Sequence, residues 1–348
     1  MPDFKDWLDK ECLHFNIGDL LIFGNFVLPK FLRMRISIFA VFSLTYLLLG
    51  FRKSTEEQTI KKFQSEYYII VIIDGPRFTE TFGDSSYTYI PKMGRELTKE
   101  GVLFYNFRNN GPTYTNAGHT AITTGHYQHI SNGGKELPKR PSIFNYYLKT
   151  YNADKSDAYI VSSKGKLEIL ANTKNKRWWN TYMPMTYCGE KGNSSNYVND
   201  EQTYDKVNLL IETQMPRIML VNFLSVDSYG HANEWEAYLS SIQKCDQFVY
   251  NIWNKIQSHS HLRNKTTLFI TNDHGRHLNG HKDGFVNHGD RCEGCRHISL
   301  LAMGPDFKKN VVIREGGELI DISKTISHMI GFDMPTSEGR VLTELFAN

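Results

Sequence analysis

Tyr67–Ile73 is a seven-residue run of aromatic and β-branched residues that stops at Asp74-Gly75. A strand of this composition has no face suited to water. It must be covered on both sides, which confines it to the interior of a layered, mainly parallel sheet. Ile218–Phe223 and Thr266–Ile270 repeat the pattern, and each is followed within a few residues by a carboxylate, Asp227 and Asp273. Ile298–Met303, just after His297, reads as a fourth strand and Ala158–Val161 as a weaker fifth. Helical stripes alternate with them. Glu234–Ile256 carries Ile242, Cys245, Val249, Ile252 and Ile256 on one face, and Leu319–Ile330 is closed by Gly331 with Pro335 beyond. The fold class is therefore α/β, a mostly parallel central sheet with helices on both faces. Ligands of open sheets gather at the carboxyl ends of the strands, which is where the carboxylates stand.

The chain has 348 residues, enough for one large domain with an insertion. A formal net charge of +3, without a long basic run, gives no sign of a nucleic-acid-binding module. Ile36–Gly50 is an apolar stretch flanked by Arg33, Arg35, Arg52 and Lys53. At about 15 residues it is short of the roughly 20 needed for a membrane span, and it suits a secretory signal better, with Met34 as a simpler start. Residues 1–53 are thus read as a targeting or anchoring segment, 54–65 as a polar linker and 66–348 as the catalytic domain. An extracytoplasmic location follows, with membrane anchoring through residues 36–50 left open. Residues 164–215 are polar, irregular and rich in large aromatics, and read as a cap insertion. Oligomeric state is not legible.

Four motifs stand in order: Asp74-Gly75-Pro76-Arg77; Gly111 to Gly125, with Thr115 inside it; Asp227-Ser228-Tyr229-Gly230-His231; and Asp273-His274-Gly275, with His297 following. Carboxylate and imidazole together suit divalent metal, zinc above all. D-x-x-x-H lets two ligands converge from one turn, and the glycine after Asp273-His274 permits the bend that two adjacent ligands need. Five histidines fall between His274 and His297. Among them His288 and His297 are the candidates for a ligand, with His277 and His281 as surface or supporting groups. Cys292 and Cys295 form a C-x-x-C that reads as a disulfide, or as part of a third zinc site completed by His281 or His288.

This set resembles the alkaline phosphatase superfamily, and most closely its nucleotide pyrophosphatase/phosphodiesterase branch. The likeness covers nearly all of Tyr67 to Leu342. Thr115 lies ten residues before Gly125 of a T-G pair, His297 seven residues before Gly304-Pro305, and the tail ends Gly339-Arg340-Val341-Leu342. The resemblance implies an alkaline phosphatase-like fold and two divalent ions, one held by Asp227, His231 and His297, the other by Asp74, Asp273 and His274. Thr115 would be the nucleophile and a metal neighbour, forming a phosphothreonine intermediate. Asn132 is the candidate for holding a phosphoryl oxygen, although it stands about four residues closer to Thr115 than the branch's asparagine, and Arg77 is a candidate substrate-binding group. Asn116-Ala117-Gly118-His119 departs from the branch's F-P-N-H. The implied activity is hydrolysis of a small-molecule phosphodiester or pyrophosphate. The competing readings are a phosphomonoesterase, a sulfatase (which lacks its C/S-x-P-x-R signature here), a phosphoethanolamine-type transferase and a non-catalytic binding protein.

Overall fold

The computed structural model describes residues 63–191 and 196–347. The proposed targeting segment and most of the linker lie outside the described residues.

Eight strands form one sheet: β1 (Tyr67–Ile73), β2 (Gly101–Arg108), β3 (Ala158–Ser162), β4 (Met185–Cys188), β5 (Ile218–Phe223), β6 (Thr266–Thr271), β7 (His297–Met303) and β8 (Val311–Ile313). Their order is β4-β3-β5-β1-β6-β7-β2-β8. All pairings are parallel except those of β7, which runs antiparallel to both β6 and β2.

The apolar run of β1 is buried along its whole length. Its side chains divide by the two-residue period of a strand. Tyr68, Ile70 and Ile72 pack with the helices Thr115–Thr124, Ile143–Tyr151 and Leu319–Ile330 on one face. Tyr67, Ile69, Val71 and Ile73 pack on the other face with Asp200–Thr213 and Trp235–Ser258. Helices on both faces are the architecture that the unbroken strands required.

β2, β4 and β8 are the strands the sequence did not announce. β2 mixes Asn106 and Arg108 into its apolar run, and β4 and β8 are short edge-side strands with half-exposed residues. The irregular stretch expected at 164–215 is in part built into the layers. β4 pairs with β3, and Asp200–Thr213 covers the sheet behind an Asn199/Gln202 capping box. Its central aromatic run lies outside regular elements, as do the described residues between β4 and that helix. In the aromatic run Trp178 packs edge-on against Tyr146 at the margin of the core on that face of the sheet, while Trp179 is exposed.

Candidate metal centre

The order β5-β1-β6 places three carboxyl ends side by side, with Asp74 after β1, Asp227 just beyond β5 and Asp273 just beyond β6. The turn after β1 must be tight, and Gly75 adopts φ +68°. A Cβ there would lie 3.0–3.1 Å from Arg276 Nη1, Asp227 Oδ1 and the His274 ring, so the backbone itself lines the site. Asp227 and His231 project from one short helix, Ser225–His231, at the i, i+4 spacing that stacks side chains.

Two groups of ligand atoms result. In the first, His274 Nε2 lies 3.3 Å from Asp273 Oδ2 and 3.6 Å from Asp74 Oδ1. All three atoms are buried and lack hydrogen-bond partners. Orphaned polar atoms of this kind are costly unless a cation takes them. In the second, His231 Nε2, His288 Nε2 and Asp227 Oδ1 form a triangle with edges of 3.0, 3.3 and 3.4 Å. Ligands on a tetrahedral zinc with bonds of about 2.0 Å stand about 3.3 Å apart, so both groups fit such an ion. His288 Nδ1 donates to the Thr113 carbonyl at 2.7 Å, which turns its Nε2 lone pair toward Asp227.

The third histidine is therefore His288, and His297 is elsewhere. His297 stacks on Phe78 at 3.8 Å with an interplanar angle of 14°, and its Nε2 meets the Tyr105 carbonyl. The reason is local: His297 opens β7, where strand pairing with Arg108 fixes it. His288 lies in the looser loop before it and stacks on His274 at 3.8 Å.

Thr115 opens its helix, 1% exposed, and its Oγ is 3.4 Å from Lys164 Nζ. His119, one turn on, ties this helix to the first ligand group, directly at Asp273 and through Asn222 at Asp74. Its Nδ1 reaches the Thr115 carbonyl at 2.8 Å and Asp273 Oδ2 at 3.3 Å, while Nε2 faces Asn222 Nδ2 at 3.1 Å. The asparagine amide must donate there, so the proton sits on Nδ1. Asn222 donates on to Asp74 Oδ2 at 3.1 Å. Asn132 comes to the same helix as a cap, its Oδ1 accepting from the Asn116 amide at 3.0 Å and from Lys166 Nζ at 3.1 Å.

Arg77, expected near substrate, is engaged elsewhere. Its Nε and Nη2 form a two-pronged pair with Glu80 at 2.6 and 2.8 Å, and Nη1 donates to Asn279 Oδ1 at 2.8 Å. All three guanidinium nitrogens are committed to these partners. The site's cations are instead Lys164 and Arg276, which sequence reasoning missed. Lys164 Nζ bridges Asp227 Oδ2 at 2.7 Å and Asp74 Oδ2 at 2.9 Å. Arg276 Nη1 donates to Asp227 Oδ1 at 2.5 Å, and the rest of its fork is held by the Phe285 and Val286 carbonyls. The D-H-G-R run was the available signal for Arg276. Lys164, at the head of a stretch read as a cap, gave none.

The ionisation states follow from this packing. Burial, reinforced by Asp273, pushes Asp74 up to about 6. Burial also disfavours charge on Asp227, yet Lys164, His288 and Arg276 hold it well below the usual carboxylate range. Burial lowers His274 to about 3, leaving the neutral imidazole that a metal binds. Lys166, desolvated and beside Lys164, falls to about 8.

A sequence profile described as the metalloenzyme superfamily matches residues 115–334. GPI ethanolamine phosphate transferase 1 of Schizosaccharomyces pombe is 22% identical over 365 aligned residues, spanning 92% of this chain but 37% of that protein. The chain thus covers little more than a third of that relative's length. Among solved structures, an alkaline phosphatase superfamily protein from Vibrio parahaemolyticus is similar with a TM-score of 0.60 at 16% identity, covering 83% of this chain and 72% of that one. An inactive variant of murine ectonucleotide pyrophosphatase/phosphodiesterase 5 in complex with AMP is similar with a TM-score of 0.58 at 15% identity, covering 81% and 100%. The likeness to these solved structures is one of fold. The chain belongs to the metalloenzyme superfamily, the group that includes the alkaline phosphatases.

Proposed function

We propose that this chain is a metal-dependent phosphodiesterase, in which Thr115 Oγ displaces the leaving alcohol or phosphate from a phosphodiester or pyrophosphate and water then releases the product. The observation that carries the reading is the position of Thr115: buried, at the start of a helix, and tied through Lys164 and His119 to both groups of metal-ligand atoms. The residues that would hold one divalent ion are Asp74, Asp273 and His274, and those for the other are Asp227, His231 and His288. Such ions, with zinc favoured by the ligand chemistry, supply Lewis acidity that makes a threonine alkoxide accessible at neutral pH and offsets charge on the phosphoryl oxygens.

The chain's own groups do the positioning. Lys164 places a cation beside Thr115 Oγ and the incoming phosphoryl oxygens. His119 fixes the first helical turn. Asn132 orders the Asn116 amide and holds Lys166 on the open side, where a second ammonium can meet substrate. Export from the cytoplasm, through the segment at 36–50, is part of the same proposal. No helix among the described residues is long and apolar enough to cross a membrane.

The similarity to an ethanolamine phosphate transferase across most of this chain favours one second reading: the same covalent step, followed by delivery to an alcohol instead of water. The test compares p-nitrophenyl phosphate, bis-p-nitrophenyl phosphate, a nucleotide p-nitrophenyl ester and p-nitrophenyl sulfate, with mass spectrometry of the Thr115 peptide after rapid quenching. The phosphodiesterase reading expects diester turnover and an adduct on Thr115. Turnover that rises severalfold with glycerol, giving a glycerol phosphodiester, selects the transferase. Preference for the monoester selects a phosphatase. Turnover without an adduct overturns the covalent route.

A further inference from the structure

Outside the catalytic groups, His277, Asp290, Cys292 and Cys295 bring four ligand atoms within 4.8 Å of one another. The geometry points to a third, structural zinc site, built from two cysteines, one histidine and one aspartate, which staples the loop carrying Arg276 and His288.

The donor set has the composition of a closed zinc site. Two sulfurs from C-x-x-C provide the soft ligands, and an imidazole and a carboxylate complete four coordination. Cys292 and Cys295 are both free thiols, and Cys295 is fully buried. The second observation is the state of His277. Its Nδ1 meets Asp283 Oδ1 at 2.7 Å, and Asp283 in turn accepts from Asn287 Nδ2 at 2.5 Å. A carboxylate on one ring nitrogen fixes the tautomer and turns the other lone pair outward, the usual support of a metal-bound histidine. That other nitrogen, Nε2, is buried and makes no hydrogen bond. It lies 3.3 Å from Asp290 Oδ2, the same spacing as the ligand pairs of the catalytic groups. A Cys292–Cys295 disulfide would leave this nitrogen orphaned, whereas a zinc ion takes it up.

Asp290 has competing partners. Lys282 Nζ and His281 Nε2 lie 2.6 and 2.9 Å from its Oδ2, and its Oδ1 accepts from the Cys292 amide. Lys282 and His281 are exposed side chains that can turn to solvent. Binding zinc releases the two thiol protons to solvent, leaving two thiolates and a carboxylate against the dication.

The placement explains what the site is for. Residues 275–296 contain no strand, only a three-residue and a four-residue helical turn. Yet this loop must hold Arg276 on Asp227 and His288 in the second ligand group. His277 directly follows Arg276, and Asp290 comes two residues after His288. A metal joining them closes the loop around both functional residues.

The test is zinc stoichiometry and zinc K-edge X-ray absorption on the full chain. The catalytic groups offer only nitrogen and oxygen, so a sulfur shell at about 2.3 Å reports the third site alone. The wild type should hold three zinc ions with that shell. Cys292→Ser with Cys295→Ser should hold two and lose it, whereas Asp273→Ala should lose zinc and keep it. That contrast separates failure of this site from failure of the catalytic reading. If the double variant does not fold, the wild-type spectrum still decides. Zinc-replete wild type without a sulfur shell, or an intact mass about 2 Da below that of the reduced chain from a Cys292–Cys295 disulfide, overturns the proposal.

Discussion

Thr115 and the histidines around it separate nucleophile from ligand. Thr115→Ala should abolish turnover while bound metal stays nearly unchanged, because six other side chains hold the ions. Thr115→Ser should keep a measurable rate, since it supplies the same oxygen. Metal analysis beside steady-state kinetics checks both, and a Thr115→Ala kcat above a few per cent of wild type would sink the covalent mechanism. The histidine prediction is as sharp. His288→Ala should lower metal content and activity together. His297→Ala should retain both, losing its stack on Phe78, worth about 1 kcal/mol, and its contact with the Tyr105 carbonyl. Metal loss in His297→Ala with full content in His288→Ala would reverse the assignment.

The helix Thr115–Thr124 packs unusually closely to the loop after β6. A Cβ on Gly118 would come within 2.5 Å of the Asp273 backbone oxygen. Alanine is the better helix former by about 1 kcal/mol, so an isolated helix would gain from Gly118→Ala. Here the overlap should push the helix off Asp273, at a cost of about 1–3 kcal/mol, and should lower kcat by moving Thr115 away from the ligand groups. Chemical denaturation and steady-state rates measure the two effects. A variant as stable and active as wild type would show that the contact is slack. Helix ends elsewhere follow local chemistry, as at Gly331, which closes Leu319–Ile330 at φ +97°.

The whole molecule buries Asp74, Asp227 and Asp273 with Lys164 and Arg276, three negative charges against two positive ones. Near-neutralisation by the chain itself means that metal removal should leave it folded, though weaker. At concentrations of 100 times Kd each ion contributes about 2.7 kcal/mol, so excess chelator should lower Tm by on the order of 10 °C. Calorimetry with and without added zinc checks this, and an unchanged Tm in zinc-loaded protein would argue against tight sites. All eight strands and every proposed ligand lie in residues 63–347. A chain starting at Lys62 should therefore fold, bind metal and turn over substrate like the full chain. Insoluble or inactive protein would show that the first 61 residues complete the domain.

The sequence by itself determined the central strands and the carboxylates behind them. A continuous β-branched run has only one environment open to it, and a polar residue at its end falls at the carboxyl end of the strands. Asp74, Asp227, His231, Asp273 and His274 stood out as strand-end motifs, and Thr115 through the family resemblance; the fold gathers their side chains at one end of the sheet. Residues that act across the sheet were not legible. His288 lies in an irregular loop and His297 opens the strand that follows it, and strand pairing, which is a tertiary fact, decided which one turns inward. Lys164 reaches Asp74 and Asp227 from just beyond β3, two positions away from β1 in the sheet. Such contacts join residues far apart along the chain, so no local pattern carries them; the sheet order β3-β5-β1-β6 does.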